Sequence, residues 1–104
     1  MYQMDKEIIK MTFVLNKSYG GFSISQFAAD KLGLESHFDF DISDSLMVDA
    51  LASLITEFGS EKCSGSFAKL RVVEIPDCAT DYQIDEYDGF ETIIYVVNGK
   101  IYRA

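Results

Sequence analysis

The chain has 104 residues, of which 48% are hydrophobic and 25% charged, enough apolar material for one domain over residues 1–104 and too much for a disordered chain. Its 17 acidic and 9 basic residues give a formal charge of −8, which argues against direct nucleic-acid binding, because phosphate contacts need a basic footprint. No apolar run approaches the ~20 residues of a membrane span, and Met1–Glu7 lacks the basic and apolar regions of a signal peptide, so a non-exported, non-membrane protein is expected.

Residues 8–15 are apolar and β-branched enough to read as a strand, with Ile9, Met11, Phe13 and Leu15 sharing one face. The Gly20-Gly21 pair stops it. Ser23 and Gln26 have capping-box spacing, and Ile24, Phe27, Ala28 and Leu32 follow at helical intervals up to Gly33. A loop with alternating Asp and Phe leads to a second helix from about Asp44 to Phe58. Ser43 or Asp44 can cap it, Met47, Leu51, Leu54, Ile55 and Phe58 form its buried stripe, and Gly59 closes it. The period then changes to two. Strands are expected over 68–75, 81–87, 90–97 and 100–103, with Asp88-Gly89 and Asn98-Gly99 as hairpin turns. The order β-α-α-β-β-β-β is an α+β fold: an antiparallel sheet ending in a three-stranded meander, with two helices packed on one face.

Ile93-Ile94-Tyr95-Val96-Val97 is apolar on both sides, so both faces of this strand are expected to be covered. Two helices can shield one face. Either residues 34–43, with Phe38, Phe40 and Ile42, fold over the other, or a second copy does, giving a homodimer or higher homo-oligomer. The exposed patch is then either Phe90, Ile94, Val96 and Ile101, or Ile93, Tyr95, Val97 and Tyr102. A one-residue change of hairpin register exchanges the two sets.

Acids are clustered. Between Lys31 and Lys62 stand Glu35, Asp39, Asp41, Asp44, Asp49, Glu57 and Glu61 with no Lys or Arg, and between Arg71 and Lys100 stand Glu74, Asp77, Asp81, Asp85, Glu86, Asp88 and Glu91. This balance keeps a small protein soluble. It also offers a surface, through Asp85, Glu86, Asp88 and Glu91, to a basic partner such as a protein whose own surface binds nucleic acid. Cys63 and Cys78 read as free structural thiols of a reducing compartment. A single histidine, His37, and no nucleophile elbow give no catalytic constellation, so no enzyme, cofactor or metal is expected. The segment with a ligand mechanism is Lys17, Tyr19, Gly20, Gly21 and Phe22, a glycine pair between strand and helix that can turn backbone N–H groups toward an anion. A tight turn with positive φ at glycine explains the same residues.

Asn16-x-x-Tyr19-Gly20-Gly21-Phe22-x-x-Ser25, together with Ile75-Pro76-Asp77 and Glu86-Tyr87-Asp88-Gly89-x-Glu91, resembles a family of small proteins encoded by bacteriophages, prophages and some large DNA viruses. The likeness covers residues 11–28 and 54–103. It implies a viral origin and a place in the host cytoplasm, but no activity of the family as a whole. The resulting expectation is a non-catalytic accessory protein that binds, and so inhibits or sequesters, a host protein such as a defence factor. The alternatives are a small-molecule or nucleotide binder or enzyme using the Gly20-Gly21 loop, and a structural virion component.

Overall fold

The computed structural model describes residues 10–104; Ile8 and Ile9, placed by the sequence in the first strand, lie outside the described residues. The elements run β1 (Lys10–Asn16), α1 (Gln26–Lys31), a 3₁₀ turn (His37–Asp39), α2 (Ser45–Phe58), α3 (Ser60–Cys63), β2 (Leu70–Pro76), β3 (Asp81–Tyr87), β4 (Phe90–Val97) and β5 (Lys100–Arg103). The fold is α+β, but its strands form two antiparallel sheets, β1–β2 and β3–β4–β5, where the sequence suggested one.

The helices begin where side chains satisfy free N–H groups. Ser25 accepts from the Ala28 N–H at the start of α1. The expected cap, Ser23, is held out of the helix: its carbonyl accepts from the Gly65 N–H, and the next residue, Ile24, bridges to Ser64. Asp44 caps α2 through the N–H groups of Leu46 and Met47, and Gly59 ends it at φ 95°. The 3₁₀ turn and α3 are additions to the two helices expected; each is too short to show a hydrophobic period.

Strand alternation decides which layer each side chain joins. On one face of the β1–β2 sheet, Val14, Leu70 and Val72 pack with Ile24, Ala28, Leu51 and Ile55 of the helical layer. On the other face Leu15, Val73 and Ile75 pack against Ile93 of the meander. The molecule therefore has three layers, with helices over β1–β2 and β1–β2 over β3–β4–β5. The helices cover the first sheet and not the meander, which corrects the expected two-layer arrangement.

The register of β3, β4 and β5 places Tyr82, Ile84, Ile93, Tyr95 and Tyr102 on the inner face. There Phe13 meets Tyr82 edge-on at 5.2 Å, and Tyr95 stacks on Tyr102 at 5.4 Å. Ile94, Val96 and Ile101 point outward, and Ile101 is 73% exposed. Residues 34–43 do not fold over this outer face: Phe40 stacks on Phe22 at 5.7 Å beside the helical core, while Phe38 and Ile42 are exposed. At one corner of the outer face the Tyr19 ring and the Lys17 side chain lie against Phe90.

Candidate functional site

Both turns of the meander take the two-residue form in which each central residue has positive φ: Asp88 at 51° and Gly89 at 90°, Asn98 at 53° and Gly99 at 78°. That conformation matches the twist of paired strands and selects Asp-Gly and Asn-Gly. The first turn points back at the chain leaving β1, and the two motif segments from opposite ends of the sequence meet there.

Asn16 organises the junction. It is fully buried, and its side chain leaves no hydrogen-bonding group idle, as burial requires. Nδ2 donates to the carbonyls of Ser18 (2.9 Å) and Gly89 (2.7 Å), and Oδ1 accepts from the Lys69 N–H (2.9 Å). Its backbone N–H donates to the Glu91 carboxylate at 2.7 Å. One residue thus joins the end of β1, the entry to β2, the β3–β4 turn and β4.

The glycines are required by close approach. A methyl group at Gly20 would overlap the Phe67 backbone, and one at Gly89 would overlap the backbone nitrogen of Gly21. Gly21 itself, at φ 88°, faces open space, so its requirement is conformational. Glu86 accepts the Gly89 N–H with its side chain, and Tyr19 stacks on Phe90 at 5.2 Å while meeting Tyr87 edge-on at 6.5 Å.

The residues proposed for an anion go in three directions. Tyr19, Gly20 and Gly21 border a 520 Å³ hollow whose other walls include the acids Glu86 and Asp88, an unfavourable place for negative charge. Lys17 turns elsewhere: its Nζ donates to the carbonyls of Glu91 (2.6 Å) and Ala104 (3.2 Å) and lies 5.2 Å above the Phe90 ring. Burial, with Arg71 nearby, holds its pKa below the usual lysine value. Phe22 lines a separate 910 Å³ groove with Phe40, His37 and Phe67.

The four acids proposed for a partner are similarly divided. Asp85 lies on the outer face of β3 and Asp88 at the turn. Glu86 and Glu91 form a cross-strand pair on the inner face. Glu91 is half-buried and bonded to Asn16, and its carboxyl is held above the usual value by burial, with Glu86 adding to the effect and the Asn16 N–H and Lys17 opposing it. It belongs to the interior, not to the exposed acidic surface. The structural role of Asn16 was missed from sequence, although a lone amide ending an apolar strand is the signal for it. Cys63 is fully buried, and burial raises its pKa above the usual thiol value, so it is a packing residue.

No family model, curated protein or solved structure matches this chain.

Proposed function

We propose that this protein is a non-catalytic viral accessory protein that works in the host cytoplasm by binding a host protein through the meander. The observation that carries this reading is the surface the meander leaves open. On its outer face Tyr87 and Ile101 are more than 70% exposed, Asp81 and Asp85 share that face, and β3 carries no Lys or Arg. Exposed aromatic and aliphatic groups beside acids are the composition of a recognition surface. The carboxylates around Gly20 and Gly21 weigh against the alternative of an anionic ligand. The resemblance to phage and viral proteins supports the proposed setting.

Asp81→Lys/Asp85→Lys tests it without touching Glu86 or Glu91, whose side chains hold the junction. The double variant should keep its circular dichroism and melting temperature yet lose proteins that the wild type captures from host lysate. Capture of the same proteins by both would remove the acidic surface from the reading.

The outward row Ile94, Val96 and Ile101 favours a second reading, self-association across a two-fold axis. Sedimentation equilibrium separates the two: a species of 11.7 kDa at every micromolar concentration excludes the dimer.

A further inference from the structure

The meander has two edges, and they differ. β5 is four residues long and carries Lys100 and Arg103, the short, basic form in which exposed edges are normally blunted against pairing. β3 is seven residues long, Asp81–Tyr87, with no Lys, Arg or Pro. The two-residue turn makes Tyr87 and Phe90 a hydrogen-bonded pair, and antiparallel alternation along the register then points the N–H and C=O groups of Tyr82, Ile84 and Glu86 away from β4. Among the described residues, no element lies alongside them. Side chains along this edge are ordered by face. Tyr82 and Ile84, 47% and 44% exposed, lie on the inner face; Asp81, Asp85 and Tyr87 lie on the outer face, where Tyr87, Tyr19 and Phe90 wall a 360 Å³ hollow with Asp85, Glu86 and Arg103.

Resting on the protein-partner reading above, we infer that β3 accepts an extended basic segment of the partner as a fourth strand of the meander. The exposed backbone groups supply the pairing. A residue opposite Ile84 shares its face and packs an apolar side chain there; its neighbours fall on the outer face, opposite Gln83 and Asp85, and the next outer position lies opposite Asp81, so Lys or Arg at the outer positions is complementary. Arg103, the base on this face, belongs to β5, and its side chain shares that hollow with Asp85 and Glu86, yet among the described residues it makes no ion pair with either. A second copy of the chain is the wrong occupant: β3 carries three acids and no base, so β3 against β3 would gather six acids along one seam.

The probe is a synthetic peptide alternating lysine and valine, titrated into the full chain while amide exchange is followed by NMR. Binding should slow exchange at Tyr82, Ile84 and Glu86. A peptide N-methylated at each valine keeps every side chain and charge but loses the donors that face β3, and should bind roughly tenfold more weakly or worse. Equal binding of the two peptides would overturn strand addition and leave an acidic surface that binds by charge alone. Protection of these amides that rises with protein concentration and no peptide would assign the edge to a second copy, and so overturn the inference. Failure of the unmethylated peptide to bind would also overturn it, while the lysate capture by wild type and Asp81→Lys/Asp85→Lys still judges the broader reading by itself.

Discussion

The β1–β2 sheet is covered twice, by Ile24, Leu51 and Ile55 of the helical layer on one face and by Ile93 of the meander on the other. The meander, whose central strand β4 is the most apolar of the five, is covered once: Ile93 is fully buried while Ile101 is 73% exposed. The covered sheet has two strands, and the open one has three and a long free edge. This is the reverse of what stability alone would arrange, since the wider sheet has more surface to bury. The central sheet holds the molecule together, and the outer one is held up by it to face solvent.

The largest expected effect is at the joint between the two. Asn16→Ala leaves the part-buried Lys69 N–H and the Gly89 and Ser18 carbonyls without their partner, and unpaired buried groups cost about 1–3 kcal/mol each, so a loss of about 4 kcal/mol is expected in urea denaturation. A loss below about 1 kcal/mol would mean that water replaces the amide and that the sheets are not coupled through it.

Next comes a pair on the two faces of the meander. Ile93→Ala should cost about 3 kcal/mol, as other large-to-small changes in cores do. Ile101→Thr should stay within about 0.5 kcal/mol, as surface substitutions do. Similar losses at both positions would show that the outer face is covered in solution.

The two turns provide a finer contrast, since they share one conformation but only one is pressed against another segment. Gly89→Ala should cost about 2 kcal/mol or more, from positive φ and from overlap with Gly21 together. Gly99→Ala, at the same kind of φ but in open space, should cost about 1 kcal/mol. Equal melting temperatures for the two variants would deny the contact between the glycine loop and the hairpin.

The smallest effect is electrostatic. The Glu91 carboxyl is held above its ordinary value of 4.5, chiefly by burial, so the folded state binds its proton more tightly than the unfolded state does. Its contribution is therefore fully present below the unfolded value and declines as pH rises through the higher folded one. Gln at this position still accepts the Asn16 N–H but does not ionise. Relative to wild type, Glu91→Gln should gain in melting temperature from acid to neutral pH; parallel curves would show that the buried carboxylate carries no such burden.

The meander was legible to the residue at 81–87, 90–97 and 100–103, because Asp-Gly and Asn-Gly fix both the turn and its length. The second helix was nearly as clear, from Asp44 at its cap to Gly59 at its end. The division into two sheets was not legible. Alternation in Met11, Phe13 and Leu15 says that these residues share a face, but not whether a helix or a strand lies on it. Ser23 fitted a capping pattern as well as Ser25 fitted the real cap, and the difference lies in the Gly65 N–H, which reaches Ser23 from far along the chain. The glycine loop was noticed for a ligand, whereas Gly20 and Gly89 are small because backbone passes against them. Such contacts join distant segments and leave no local period to read.

The pairing of β1 with β2 also sets an order of assembly. β3, β4 and β5 are linked by two-residue turns and can zip locally, whereas β1 has to wait for a strand that follows all three helices. Closing so long a loop is entropically slow. During synthesis the first strand emerges without its partner, its Met11, Phe13 and Leu15 side still bare, and it gains a covering layer only when the last third of the chain has been made. The Asn16 bonds to Lys69 and Gly89 can form only then, so they serve as the closing latch of folding, and a chain stalled before the meander exposes the strand on which the finished protein is centred.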